Sequence, residues 1–196
     1  MKKTFLTQLL FFLIILFNQI SNAFPQSGIY KSWQDYKNAK ISNSINCKSS
    51  SDNIKLNHII STSYIEISQS GKSIRFKKDS IFGYKDCNQK DFRFYKRKEY
   101  EILESKSLII YSTYTRDYSS TGKTFLLKSE YFFSVDLNAP VLSLSLLNLK
   151  KATLENLKFH DSLDIEFGNG SPLNSIDNKQ NMFKINSLLT KSLNLN

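Results

Sequence analysis

The sequence predicts an α+β, mainly β chain, an antiparallel meander or curled sheet carrying C-terminal helices. Three observations predict it. From about Ile54 to Leu147 apolar residues recur with the two-residue period of strands: Ile65 and Ile67 flank Glu66, Ile74 and Phe76 flank Arg75, and Phe92 and Phe94 flank Arg93. Turn chemistry interrupts the alternation at Gln69-Ser70-Gly71-Lys72, Asp86-Cys87-Asn88-Gln89-Lys90 and Tyr118-Ser119-Ser120-Thr121-Gly122-Lys123, a spacing that suits a meander. After Pro140 the pairs Leu144, Leu147 and Leu154, Leu157 fall at three-residue spacing, the texture of an amphipathic helix.

The elements follow in order. Lys2 and Lys3, an apolar run from Leu9 to Phe17, and Ser21-Asn22-Ala23 predict a cleavable signal peptide over residues 1–23, with residues 24–196 forming a single domain. The apolar run is too short for a comfortable membrane span, and no Cys stands at the junction to carry a lipid. Residues 28–40 suit a strand followed by a helical turn. Ile41 to Asn53, almost wholly Ser, Asn, Lys and Asp around Cys47, reads as a loop. Six to eight strands are then expected up to Leu147. The strongest are Ser107 to Thr115 and Thr124 to Val135, which are dominated by β-branched and aromatic residues and are expected to pair as a hairpin. A helix running to about Phe159, a break at Gly168-Asn169-Gly170-Ser171-Pro172, and a terminal helix carrying Met182, Ile185 and Leu189 complete the chain.

The formal charge of the 196 residues is +10; without the two leader lysines it is about +8. An exported protein with this excess suits an anionic envelope polymer or a protein partner, although positive balance is also a common aid to solubility. Nucleic acid is an unlikely partner for an exported chain with no recognised binding motif. Cys47 and Cys87 are the whole thiol inventory, and export would let them form one disulfide closing a loop of about 40 residues. Two thiols without a Cys-x-x-C pattern point away from zinc and from thioredoxin-like chemistry.

The densest basic and aromatic stretch is Lys90-Asp91-Phe92-Arg93-Phe94-Tyr95-Lys96-Arg97-Lys98-Glu99-Tyr100. In a strand Arg93 and Tyr95 share one face while Phe92 and Phe94 share the other, so only part of the set can converge. Arg93, Tyr95, Lys96 and Arg97 are the candidate binding residues, against the alternative of a solvated turn whose lysines discourage strand addition. Tyr111, Tyr114, Tyr118 and Tyr131, with Phe132 and Phe133, are a second aromatic set, suited either to stacking on sugars or a partner or to filling a sheet-to-helix interface. The histidines are His58 and His160. His160, Asp161 and Asp164 offer the best site for hydrolytic or metal chemistry, yet only His160 and Asp164 have i, i+4 spacing, and no metal site or cofactor is expected. The pairs Glu101, Glu104 and Asp161, Asp164 have the spacing of ordinary exposed charge as much as of an acid and base couple. There is no Gly-x-Ser-x-Gly, P-loop or Gly-x-Gly-x-x-Gly pattern.

Several segments carry a resemblance: Gly28-Ile29-Tyr30 followed by Asp35-Tyr36-Lys37-Asn38, Asp79-Ser80-Ile81-Phe82-Gly83-Tyr84-Lys85-Asp86-Cys87 with Phe92-Arg93-Phe94-Tyr95, and Lys98-Glu99-Tyr100-Glu101-Ile102-Leu103-Glu104. Glu130-Tyr131-Phe132-Phe133-Ser134 and Asn148-Leu149-Lys150-Lys151-Ala152 through Lys158-Phe159-His160-Asp161 add to it. Together they resemble a group of uncharacterised small exported proteins of Gram-negative bacteria. The resemblance implies an envelope address, periplasmic or at the cell surface, and carries no reaction and no functional residue. The leading expectation is therefore a non-enzymatic envelope module that binds through the Arg93, Tyr95 and Arg97 face. The alternative is a hydrolytic or lyase-type enzyme acting on envelope material.

Overall fold

A computed structural model describes residues 26–56, 63–118 and 125–194. The expected signal peptide, His58 and the centre of the turn after Tyr118 lie outside these residues. The chain is mainly β and antiparallel, with its longer helices at the C-terminal end. An eight-stranded sheet holds β1 (Ser27–Tyr30), β2 (Ser42–Ile45), β6 (Gly83–Lys85), β7 (Asp91–Tyr95), β8 (Lys98–Ser105), β9 (Ile109–Tyr118), β10 (Phe125–Ser134) and β11 (Leu142–Ser143). Its order is β11-β10-β9-β8-β7-β6-β1-β2, so the meander from β6 to β11 is extended by the chain's first two strands. Between β2 and β6 the chain leaves to make a separate sheet of β3 (Asn53–Lys55), β4 (Tyr64–Gln69) and β5 (Lys72–Lys77).

Local chemistry explains these joints. Ser70 and Gly71 hold φ values of 49° and 78°, the two left-handed positions of a tight hairpin turn between β4 and β5. Gly83 permits close approach of β6 to β7, since a Cβ there would sit 1.8 Å from the Phe92 carbonyl oxygen. The expected long hairpin is present, β9 and β10 pairing from Tyr118↔Phe125 to Ile109↔Ser134. The first strand and helical turn are also present, as β1 and α1 (Trp33–Lys37), the latter capped by the Ser32 hydroxyl accepting from the Asp35 amide.

Three expectations need correction. Residues 42–45 are not loop but the edge strand β2, because β1 supplies a backbone ladder that overrides the low strand propensity of Ser-Asn-Ser. The single helix expected to run to Phe159 is two, α2 (Leu146–Ala152) and α3 (Leu157–Phe167), broken over residues 153–156. Leu147 on the outer face of α2, Leu154 in the break and Leu157 at the start of α3 are exposed, and Leu149, Phe159, Leu163 and Phe167 are buried instead. Met182 belongs to a short hairpin, β12 (Ile176–Asp177) with β13 (Met182–Phe183), ahead of the terminal helix α4 (Lys184–Asn194), which buries Ile185 and Leu189.

Three cores result. On one face of the large sheet Leu108, Ile110 and Phe133 pack under α2, α3 and α4. Cross-strand register carries that face through Tyr131, Ser112 and Glu101 to Phe92. At its far end Ile29, Tyr84 and Phe94 pack against Ile65 and Ile67 of the small sheet. The opposite face holds Tyr100, Ile109, Tyr111 and Val141, with Tyr95 and Phe132 beside them. The disulfide joins Cys47, just after β2, to Cys87 in the β6–β7 turn, with Cα atoms 5.6 Å apart. No helix among the described residues is long and apolar enough to cross a membrane.

Candidate functional site

The strand β7 divides its side chains as alternation requires: Phe92 and Phe94 enter the core under the small sheet, and Arg93 and Tyr95 point to the other face. Arg93 is only 4% exposed. Its Nη1 donates to Tyr111 Oη at 2.8 Å and Ser134 Oγ at 3.3 Å, and its Nη2 donates to the Ala139 carbonyl at 2.8 Å. Ser134 Oγ donates to the Asp136 carbonyl at 2.6 Å, so the Tyr111 proton goes to Ser134, 2.9 Å away, and the Tyr111 oxygen is left to accept from Arg93. Phe82, Tyr95 and Tyr111 surround the guanidinium at 5.5–5.7 Å. Arg93 thus holds the loop over residues 134–139 onto the sheet, and burial raises the Tyr111 phenol above its ordinary pKa.

The remaining candidates gather at the β7–β8 turn, where Lys96 and Arg97 are exposed. They occupy both central positions with φ values of 50° and 66°. Those left-handed positions favour Asn-Gly, and a side chain with a Cβ costs about 1 kcal/mol or more at each. Lys96 Nζ lies 5.5 Å from the Tyr95 ring centre. Lys98 Nζ lies 5.6 Å from that of Tyr100 and 5.1 Å from that of Phe132. Arg97 Nε donates to Asp79 Oδ2 at 2.7 Å, and this hydrogen bond, with the charge behind it, raises the guanidinium pKa further. Among the described residues Lys96 and Lys98 have no carboxylate partner. The structure therefore separates Arg93 from the surface and leaves Lys96, Arg97 and Lys98 together beside Tyr95, Tyr100 and Phe132. Lys98 was missed as a site residue, although its two-residue spacing from Tyr100 already put both on one strand face.

The residues considered for hydrolysis are placed elsewhere. His160 Nε2 lies 2.9 Å from the Thr153 carbonyl and 3.3 Å from Thr153 Oγ1, which ties α3 to the end of α2. Asp164 pairs with Lys150 at 2.6 Å, and Asp161 is exposed. Glu104 accepts from the Phe183 amide at 3.1 Å and from Asn186 Nδ2, pinning α4 to β8. No group of three or more His, Cys, Asp or Glu suited to a metal ion occurs among the described residues.

Among the clefts of the described surface are three of similar size. One of about 510 Å³ lies between β2, the Cys47 loop and the β4–β5 turn, and one of about 550 Å³ lies among Val135, Leu154 and Leu193 at the helical end. A third, of about 560 Å³, opens between the β3 segment and the middle of the large sheet, and of these three it is the one that combines aromatic rings with several ionisable groups. Its lining includes Asp86, Lys90, Glu99, Glu101, Tyr84 and Tyr114. Lys90 donates to Glu101 at 2.8 Å, and that hydrogen bond followed by the carboxylate's charge raises the Lys90 pKa. Burial, reinforced by the charges of Glu99 and Asp86 and a hydrogen bond to Glu99, raises the Tyr84 phenol far above its ordinary value. Tyr84 stacks on Phe92 with centroids 4.7 Å apart. Asp52 at the mouth accepts from the Ser70 and Asn46 amides, which hold its carboxyl below the usual range.

No family model, no curated protein and no solved structure matches this chain.

Proposed function

We propose that this chain is an exported, non-enzymatic binding module of the bacterial envelope that holds an anionic polymer at the β7–β8 hairpin tip. The observation that carries the reading is the placement of Lys96 and Arg97 at two left-handed positions where Asn and Gly would be less strained. Strain of this kind persists where the side chains are worth more than the local conformational cost. The neighbouring Lys98 and the rings of Tyr95, Tyr100 and Phe132 make the tip a cationic and aromatic surface. An ammonium seated on a ring without a carboxylate partner keeps its charge available for a phosphate or carboxylate group. The leader read from residues 1–23 supplies the address, and the mature charge of about +8 supports attraction to anionic envelope material over distance.

The test is retention of the folded mature chain on immobilised phosphorylated and uronic-acid polysaccharides across a salt series. Wild type is expected to bind and to elute as salt rises, and Lys96→Gln with Lys98→Gln is expected to weaken binding by about tenfold or more. Equal retention of wild type and the double variant, or no retention on any polyanion, defeats the proposal. Capture of a protein partner that survives both substitutions would move the function to another surface.

A further inference from the structure

Of the aromatic set in β9 and β10, Tyr111 and Phe133 are buried, and Tyr131 and Phe132 pack against cores, whereas Tyr114 is 61% exposed. Its position is explained by register: Glu101 pairs with Ser112, and Tyr114 stands two residues beyond on the same face. Glu99 and Glu101, also two residues apart, face the same way on β8, and all three line the 560 Å³ cleft between the layers. No core-building task accounts for an exposed ring here. The hairpin-tip reading does not use it either, because Lys98 and Tyr100 lie on the opposite face of β8.

We propose that this cleft is a second binding site, for a neutral oligosaccharide, with Tyr114 as the stacking platform and Glu99, Glu101 and Asp86 as acceptors for ring hydroxyls. A pyranose presents an apolar C–H face that packs on an aromatic ring and a rim of hydroxyls that donate to planar carboxylates. The cleft supplies both. Lys90 orients the Glu101 carboxylate from 2.8 Å, and the buried Tyr84 ring, stacked on Phe92, makes a firm wall of the cleft with Glu99. The volume falls within the range of about 300–1,000 Å³ usual for small-molecule sites. Asp52, Asp86, Glu99 and Glu101 outnumber Lys90, so a polyanion suited to the hairpin tip is repelled here. Asp52, Asp86 and Glu101 each already hold a donor within the protein, so the ligand has no need to bring a cation.

The experiment is titration of the intact folded chain with neutral gluco-, manno-, galacto- and chito-oligosaccharides, followed by calorimetry and by amide shifts. Saturable binding to at least one of them is expected, with shifts in β8 and β9. Tyr114→Ala should weaken it by about tenfold or more, while Tyr114→Trp keeps a stacking surface and retains it. Tyr114 is exposed, so the variant should fold, as its unfolding midpoint will show. Lys96→Gln with Lys98→Gln should leave this binding unchanged, which separates failure here from failure at the hairpin tip. Absence of binding to every neutral oligosaccharide, binding indifferent to Tyr114→Ala, or a preference for acidic sugars or polyamines overturns the proposal.

Discussion

At the scale of the residue, arginine 93 and lysine 96 show what a linear pattern can convey. Alternation in β7 correctly separated Phe92 and Phe94 from Arg93 and Tyr95, because a strand leaves no freedom in that parity. It could not tell which of two faces would be covered, since the loop that buries Arg93 comes more than forty residues later, at Ala139. The conformation of the Lys96-Arg97 turn was equally hidden, as neither residue advertises a left-handed backbone. That turn makes a direct prediction. Replacing Lys96 with Asn and Arg97 with Gly relieves two unfavourable backbone conformations and should stabilise the fold by about 1–2 kcal/mol in urea unfolding, less the small worth of the exposed Arg97–Asp79 pair. The same variant should bind polyanions more weakly than wild type. Unchanged or lower stability would mean that the two left-handed residues carry no strain.

At the scale of the element, the strands were legible and the helices only partly. A two-residue period survives errors of a position or two at its ends, so β4, β5, β7, β9 and β10 all fall where the alternation put them. Helical spacing is more fragile: Leu147 already lies on the outer face of α2, the break over residues 153–156 resets the face beyond it, and of the four leucines read at helical spacing only Leu144 packs against the core. The anchor of α4 was invisible for another reason, since it is polar. Asn186 is fully buried, accepts from the Leu108 amide at 2.7 Å and donates to the Leu108 carbonyl at 3.0 Å. It thereby gives the entry to β9 the hydrogen bonds a strand partner would otherwise provide. Asn186→Leu keeps the branched shape, leaves the buried Leu108 amide without its acceptor, and removes one of the donors to the Leu108 carbonyl and to Glu104. A loss of about 2–4 kcal/mol is expected, measured by chemical unfolding. A loss under about 1 kcal/mol would show that the leucine's burial offsets the unpaired groups, and that α4 is held by its apolar face alone.

At the scale of the whole molecule, one face of the large sheet carries two separate cores, one under the helices and one under the small sheet, and the open cleft lies beside the second, lined by residues around β3 and by β6–β9. The two ends of the chain's fold therefore communicate mainly through backbone ladders from β6 to β9. The end built from β1–β5 is the poorer in regular pairing, its β2 being a short edge strand with one apolar residue, Ile45, fully committed to the core. The Cys47–Cys87 bond fastens that edge across β1 to the β6–β7 turn, a link expected from the cysteine count and the anticipated export but not locatable before β2 was known to be a strand. Closing 40 residues should contribute roughly 3–4 kcal/mol on the chain-entropy account. Because the constraint lies wholly within one end, its removal should be felt unevenly. Reduction, or Cys47→Ser with Cys87→Ser, is expected to collapse amide protection first in β2 to β5, while β9, β10, α3 and α4 keep most of theirs. Hydrogen exchange resolved by residue distinguishes this from a uniform loss at every element, which would instead make the eight-stranded sheet a single cooperative unit from β2 to β11.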